Sequence, residues 1–221
     1  MTSDQGDIPL MADALIGVCQ WPNTPGQSIE EYLQSMGIIQ NLVLAFGKRT
    51  FEIGQYDTSQ NPNFFDYIFD GNLNSWYFNT GRLKLGEAFL FSDITMATLA
   101  NFLPGIRITT QSADTVATMV SNIQALSPNL TCKSGTDLIT RCAFYNQTCS
   151  KDMLSLVANI TFSSYISGRI YHIPTKDFVR QVGSDCQLQL VIDNSAYFAN
   201  DFIYFGASLF QNYYVILDFD N

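Results

Sequence analysis

Several features that mark common classes of binding proteins and enzymes are scarce in this sequence. It has one histidine, His172, and its cysteines form no Cys-x-x-Cys pair, so the usual ligand spacings of a zinc site are missing. Only 11 Lys and Arg residues stand against 20 Asp and Glu, which disfavours nucleic acid and anionic membranes as partners. No apolar run reaches the roughly 18 residues that a membrane-spanning helix needs, and the N-terminus has no apolar signal segment. We therefore expect no metal, no cofactor, no nucleic acid and no transmembrane segment.

Apolar and aromatic residues, by contrast, are plentiful. Hydrophobic residues make up 47% of the chain and aromatic residues 14%, while charged residues make up only 14%. This composition is typical of a β-rich globular domain and argues against disorder. With 221 residues, the chain can form one large or two small domains, and it can bury roughly 70% of its unfolded surface.

Cysteines and glycosylation sequons point to an oxidising compartment. The five cysteines are Cys19, Cys132, Cys142, Cys149 and Cys186. Three Asn-x-Thr triplets begin at Asn129, Asn146 and Asn159. Together they favour the secretory pathway, with an extracellular or vacuolar or lysosomal destination, and they predict glycans on these three asparagines. Cys132 and Cys142 are close enough in sequence to pair. Because the number of cysteines is odd, at least one is left over, and we expect it to be Cys19, unpaired or paired outside this chain.

Hydrophobic patterns predict a mainly β fold with a few short helices. Helices are expected at 28–40, where Ser28 can cap the first turn, and at 113–126. Residues 105–111 are expected as strand or turn and residues 127–148 as loop. The predicted strands are 12–18, 41–46, 50–53, 75–79, 82–91, 154–162, 169–173, 188–192, 202–205 and 213–218.

Five blocks of the sequence carry a recognisable pattern in a fixed order. They are Ala12–Val18, residues 28–57 with Phe51-Glu-Ile-Gly54 at their end, Trp76–Phe91, Cys149–Cys186 with Ile170-Tyr-His-Ile-Pro174 inside it, and Phe202–Asp218 around Gly206. In this order they resemble the pepsin-like aspartic peptidases. In that family a strand, a Gly and a return strand, as in the last block, wrap the floor of the active site.

This resemblance implies the acid-protease fold, with most of the chain forming its C-terminal lobe. Residues 1–40 would be the remnant of the N-terminal lobe and the interlobe connection, and residues 41–221 the C-terminal lobe. The first catalytic loop would then lie upstream of residue 1. The resemblance also implies a disulfide between Cys149 and Cys186, which would contribute roughly 3–4 kcal/mol in the chain-entropy model.

The catalytic turn of the family is hard to find here. Pepsin-like chemistry needs two carboxylates about 3 Å apart that share one proton, and each belongs to an Asp-Thr/Ser-Gly turn. The sequence contains neither Asp-Thr-Gly nor Asp-Ser-Gly. The best match is the run 95–104, in which Thr95 replaces the Asp and Ala97 the Gly.

Three other positions remain as alternatives for this turn. Asp93 could substitute if the turn is rebuilt. Asp114 begins an Asp-Thr-Val sequence, but it also lies in the first turn of a predicted helix, where a carboxylate is favoured by the helix dipole. Lys133-Ser-Gly-Thr136 keeps the end of the motif but has Lys for Asp.

Two functions follow from the resemblance, and a third does not need it. The first is a catalytically degenerate relative of the peptidases that binds a polypeptide or packs in an assembly, either with an upstream N-terminal lobe or with a larger complex. The second is an active aspartic endopeptidase whose first Asp lies upstream of this chain and whose second is Asp93 or Asp114. The third is an unrelated secreted β protein whose terminal strands imitate the family.

Overall fold

The structure is a computed structural model that describes residues 29–47, 50–56, 77–100, 103–195 and 201–218. The chain divides into two compact units. A smaller unit comprises residues 1–64, 71–76 and 213–221, and a larger one comprises residues 65–70 and 77–212. The predicted division at residue 40 stays a prediction, since residues 1–28 lie outside the described residues.

Strands dominate the part of the chain that the structure describes. Its helices are α1 Ile29–Ser35, α2 Ala113–Gln124, α3 Lys151–Leu156, α4 Thr175–Phe178 and α5 Ala207–Phe210. Its strands are β1 Val43–Phe46, β2 Phe51–Ile53, β3 Tyr77–Leu85, β4 Ala88–Phe91, β5 Thr95–Leu99, β6 Ile106–Thr109, β7 Thr131–Ser134, β8 Ile139–Phe144, β9 Ile160–Ser164, β10 Ile170–Ile173, β11 Val179–Val182, β12 Asp185–Asp193, β13 Phe202–Phe205 and β14 Val215–Asp218.

The smaller unit contains a three-stranded antiparallel sheet in the order β14-β1-β2. Its central strand, β1, is buried at Val43, Leu44 and Ala45. The Tyr214 hydroxyl donates to Glu52 Oε1 at 3.0 Å, so a side-chain bond joins β2 to the approach to β14. Strand β14 is therefore held in the same sheet as β1 and β2, although it lies far from them in the sequence.

The larger unit is built on an eleven-stranded sheet. Nine strands follow one path in the order β10-β9-β3-β5-β13-β6-β12-β8-β7, while β4 pairs with β3 and β11 with β12. Most neighbours are antiparallel, but β13 is parallel to β5 and β12 is parallel to β6. These two parallel pairs flank the candidate site.

Alternating burial along the strands forms the core of the larger unit. In β12 the side chains of Cys186, Leu188, Leu190 and Ile192 are fully buried, and the residues between them are half-buried. A strand with one face on the core is expected to alternate in this way. An aromatic cluster continues this core, with the Phe205 ring centroid 4.4 Å from that of Phe162 and 5.9 Å from that of Phe78.

Most predicted elements within the described residues are confirmed. The helix expected at 28–40 ends at Ser35, the strand expected at 82–91 is interrupted by a turn at residues 86–87, and two further segments differ. Residues 127–148 were expected as loop but contain β7 and β8, because every second residue of β8, Thr140, Cys142 and Phe144, is buried. The strand expected at 154–162 begins only at Ile160. Before it, Ser150 caps α3 by accepting the Met153 N–H at 3.2 Å, so the chain is helical up to Leu156.

Candidate functional site

The candidate site is the connection between β5 and β6, the two strands that pair with opposite sides of β13. Strand β13 lies between β5 and β6, parallel to the first and antiparallel to the second. Residues 100–105 follow β5 and precede β6, and among the described ones Ala100, Leu103 and Gly105 hydrogen-bond to the chain around Phe205. The ends of β5, β6 and β13 therefore meet near Phe205, which pairs with Leu99 on one side and with Ile106 on the other.

Main-chain hydrogen bonds close this loop over β13. The Ala100 N–H donates to the Phe205 carbonyl at 2.8 Å, and the Gly206 N–H donates to the Gly105 carbonyl at 2.8 Å. The Ala207 N–H donates to the Leu103 carbonyl at 2.7 Å. Since all three bonds are made by backbone, the loop geometry depends little on which side chains it carries.

Glycines are required where the segments touch. A Cβ at Gly206 would lie 2.3 Å from the carbonyl oxygens of both Leu103 and Gly105. A Cβ at Gly105 would lie 1.8 Å from the carbonyl oxygen of Gln189 on β12. Real Cβ atoms do not approach backbone this closely, so both positions need the absence of a side chain.

The turn lies later in the chain than the sequence match indicated. Thr95 and Ala97 are both buried in β5, whose backbone pairs with β3 on one side and with β13 on the other. Thr95 pairs with Thr80 of β3, and the residues that follow it, 96–98, pair on both sides, so the expected tight turn at Thr95 is replaced by the start of a strand. The loop that replaces it reads Ala-Asn-Phe-Leu-Pro-Gly over residues 100–105 and contains no Asp or Glu. Asn101 and Phe102 lie outside the described residues.

Asp93 is not brought to this loop. It is exposed and precedes β5, whereas the loop follows β5. At a rise of about 3.3 Å per residue, the two ends of this strand are roughly 13 Å apart. The carboxylate therefore lies at the opposite end of the strand from residues 100–105.

Asp114 is also separated from the loop. It is exposed in the first turn of α2, whose cap is Ser112, and β6 leads away from the loop before this helix begins. The helix packs against β4, with Asn122 Nδ2 donating to the Phe89 carbonyl at 2.7 Å. The third alternative, Lys133–Thr136, lies in and after β7, three strands away from β6.

An ion pair with a buried carboxylate joins β6 to β12, and sequence reasoning missed it. Its Asp193 is the register partner of Thr109, at the end of β6 away from the loop. Asp193 at the end of β12 is fully buried, and its Oδ2 accepts hydrogen bonds from the guanidinium of Arg107 on β6, the Nε bond measuring 3.0 Å. Its Oδ1 accepts the Ser195 N–H at 2.8 Å. The only sequence signal was a charged residue inside each of two apolar strands. Removing one partner of such a pair would leave an uncompensated charge in the protein and would be strongly destabilising. The pair therefore holds β6 and β12 together.

Aromatic residues surround this ion pair. Tyr204 on β13 is the direct partner of Arg107 in the sheet register. Burial raises the pKa of the Tyr204 phenol, Tyr77 and Asp193 raise it further, and the positive charge of Arg107 opposes the rise. The ring of Phe202 contacts those of Tyr77 and Tyr204, with centroids 5.2 and 4.9 Å apart.

A second buried carboxylate holds the turn after Gly206. Asn212 Nδ2 donates to Asp177 Oδ2 at 3.0 Å, and the Gln211 side-chain amide bridges Asp177 Oδ1, at 3.0 Å, to Arg180, at 2.8 Å. The Ser208 hydroxyl in the same turn is fully buried and has no hydrogen-bond partner. The contacts of Asp177 are all structural, since the side-chain amides of Asn212 and Gln211 occupy its two oxygens.

Both expected disulfides are present, Cys149–Cys186 and Cys132–Cys142. Cys19 lies outside the described residues. Within the described ranges, no group of His, Cys, Asp and Glu could hold a metal ion, and no helix is long and apolar enough to cross a membrane.

The three sequon asparagines are all exposed, but their surroundings differ. Asn129 follows α2, and Asn146 lies in the turn after β8 with a φ of 56°. Asn159 Oδ1 accepts the Thr175 N–H at 3.2 Å and its hydroxyl at 3.4 Å. Asn159 thus has a structural role that the other two lack.

Comparison with known proteins gives a fold and no closer relationship. The sequence matches no protein-family model and no curated protein. Among solved structures, the aspartic proteinase from Irpex lacteus matches with a TM-score of 0.59 and 13% identity over 88% of this chain. The match spans only 58% of that proteinase. At this identity the likeness establishes architecture alone: the chain has the mainly β fold of the pepsin-like aspartic proteinases.

Proposed function

We propose that this chain is a catalytically degenerate member of the pepsin-like aspartic peptidases that serves as a polypeptide-binding or structural module. The observation that carries the proposal is the loop at 100–105. It holds the position that the fold uses for a catalytic turn, yet its sequence has no carboxylate. Without a second Asp no pair can share a proton, so water activation and carbonyl protonation both fail.

The other residues near this loop support a module that keeps the backbone arrangement of the peptidase fold but has lost its catalytic activity. Gly105 and Gly206 still permit the close backbone approach around the loop. The buried carboxylates of Asp177 and Asp193 are each occupied by fixed donors, which points to structural use. We therefore infer that the close backbone packing around the loop is retained, while the catalytic aspartate is absent from it.

A peptidase assay tests the proposal directly. The protein, expressed together with any segment encoded upstream of residue 1, is incubated with denatured haemoglobin between about pH 3 and 6, with and without a statine-type transition-state mimic. We expect no cleavage that the mimic inhibits, because the mimic's hydroxyl needs a carboxylate pair to bind. The same assay is run on the D93N and D114N variants.

The competing function predicts a different pattern in this assay. An active endopeptidase that takes its first Asp from an upstream segment would cleave at acid pH and would lose cleavage in either D93N or D114N. Mimic-sensitive cleavage in the unaltered protein would reject the degenerate reading, and its loss in one variant would identify the second acid. A lack of cleavage with measurable binding of an unfolded polypeptide would support the binding module.

We also assign the protein to the secretory pathway, with an extracellular or vacuolar destination. Two disulfides need an oxidising compartment to form and persist. The exposed side chains of Asn129 and Asn146 leave their sequons accessible to glycosylation. Immunolocalisation of the endogenous protein tests this assignment, and a cytosolic pool with reduced cysteines would contradict it.

A further inference from the structure

We propose that the Cys132–Cys142 disulfide is a thiol-exchange site, opened reversibly by a small anionic thiol such as glutathione while the fold stays intact. This inference rests on the hairpin of β7 and β8 and is independent of the proposed function. It assigns the two disulfides different roles, one exchangeable and one structural.

The position of the bond in the hairpin is the first reason. Cys132 and Cys142 are direct partners in the β7–β8 register, and the bond crosses a single rung. β7 is the last strand along the sheet path within the described residues, so β8 is its one neighbour there. The half-buried Cys132 therefore lies at the edge of the sheet, whereas Cys142 is buried.

The hairpin does not depend on this bond for its closure. Paired residues lie on both sides of it, Thr131 with Ala143 and Lys133 with Arg141. Nearer the turn, the Ser134 and Thr140 hydroxyls lie 2.7 Å apart, and Arg141 forms an ion pair with Asp137 at 2.9 Å. With the strands held by these contacts, two reduced thiols would stay opposite one another and could close again.

Charge beside the bond favours an anionic thiol. Lys133 follows Cys132, Arg141 precedes Cys142, and these two cations are themselves direct partners on the adjacent rung. The Lys133 ammonium also lies 3.7 Å from the Tyr145 ring centroid, which holds it near the hairpin. Lys133 places positive charge one residue from the bond, which attracts a negatively charged thiol at low salt, whereas Arg141 is already paired with Asp137.

The second disulfide lies in a different setting. Cys149 and Cys186 are 37 residues apart, and their bond joins the segment before α3 to β12. Cys186 is fully buried, and β12 pairs with β8 and β11 at this point. Cys149 is half-buried, as Cys132 is, but its partner Cys186 is held between two neighbouring strands, so we infer that this bond resists exchange in the folded protein.

The exchange is a two-step transfer. A glutathione thiolate attacks Sγ of Cys132, forms a mixed disulfide there, and displaces Cys142 as a thiolate that takes a proton from water. A second glutathione thiolate then attacks the glutathione sulfur of the mixed disulfide and releases Cys132. Two glutathiones are oxidised to one glutathione disulfide, and the protein disulfide gains two electrons and two protons.

The test follows both disulfides in the full chain carrying C19S, which removes the cysteine outside the described residues. The folded protein is equilibrated with increasing reduced glutathione, alkylated and mapped by mass spectrometry. We expect Cys132 and Cys142 to become alkylated at a glutathione concentration about tenfold lower than Cys149 and Cys186, with unchanged far-UV circular dichroism. C142S leaves Cys132 as a free thiol without its resolving partner, so incubation of this variant with glutathione disulfide should accumulate a glutathione adduct on Cys132 and release one reduced glutathione.

Two further variants separate exchange from general loosening. K133Q should slow opening about threefold at low salt, whereas K151Q, which removes an exposed cation in α3, should leave the rate unchanged. C132S/C142S should stay folded, and this result would confirm that the bond is dispensable. Opening of both disulfides together, or of Cys149–Cys186 first, would overturn the proposal, as would loss of the fold in C132S/C142S.

Discussion

At Gly206, a hydrogen atom in place of a side chain lets the loop at 100–105 close over β13. We expect G206A to destabilise the protein by about 3 kcal/mol or more, because the added Cβ meets two backbone carbonyl oxygens that cannot retreat without breaking their hydrogen bonds. Chemical denaturation measures this loss. G168A is the matched control: no atom lies near its Cβ, and its left-handed φ of 69° should cost only about 1–2 kcal/mol. Equal losses in the two variants would show that close backbone approach does not constrain Gly206.

Tyr204 gives a residue-scale prediction about alkaline pH. Its pKa is raised in the folded protein, mainly by burial, while an unfolded Tyr titrates near about pH 10. Above that pH the unfolded state loses its proton first, so stability is fully present below about pH 10 and falls as pH rises towards the folded pKa. Y204F should therefore lose less stability than the unaltered protein between about pH 9.5 and 11. Y165F, at an exposed hairpin position, serves as control, and parallel pH profiles for Y204F and the unaltered protein would contradict the assignment.

At the scale of elements, α2 shows how a short polar signal defines a helix end. Ser112 Oγ accepts the Thr115 N–H at 3.1 Å, and the helix then buries Met119 and Ile123. S112A should cost about 1 kcal/mol in the free energy of unfolding and lower the melting temperature, while S112T should keep most of the stability. S121A, at an exposed position within the same helix, should cost nothing, since Ala is the better helix former. A loss in S121A as large as in S112A would mean that the cap is not the cause.

The elements also show where sequence reasoning succeeds. The helix at 113–126 was predicted from an apolar stripe on one side, and the structure has it at Ala113–Gln124. Residues 202–205 were predicted as a strand before a glycine, and β13 and Gly206 confirm that pattern. In both cases the signal is local, so neighbouring residues suffice to specify the element.

Where the deciding contacts are distant, the same reasoning fails. The turn was placed at Thr95 because a Leu-Pro pair follows at 103–104, whereas pairing of β5 with both β3 and β13 fixes residues 95–99 as strand. Likewise, the partnership of Arg107 with Asp193 joins strands 86 residues apart. No local pattern records such pairings, so the loop at 100–105 and this ion pair could be found only from the folded chain.

For the whole molecule, charge is distributed unevenly along the chain. Residues 77–212 contain as many basic as acidic side chains, so the net charge of −9 comes entirely from residues 1–76 and 213–221. The residues that form the large sheet are therefore electrically balanced, and their stability rests on burial and backbone pairing. This is consistent with a fold shared at 13% identity, because closure of the loop is secured by main-chain bonds and two glycines.

Glycosylation gives a prediction for the whole secreted protein. Expressed in a eukaryotic secretory host, it should carry glycans on Asn129 and Asn146, and N129Q and N146Q should each abolish one step of the mobility shift produced by peptide N-glycosidase F. Asn159 should differ, because its Oδ1 holds Thr175. In glycan-free protein, N159Q should lower the free energy of unfolding by about 1–2 kcal/mol, while N129Q stays within about 0.5 kcal/mol of the unaltered protein. A secreted protein whose mobility does not respond to the glycosidase would remove the sequons as an argument for this compartment, and equal stabilities of N159Q and N129Q would deny Asn159 its structural role.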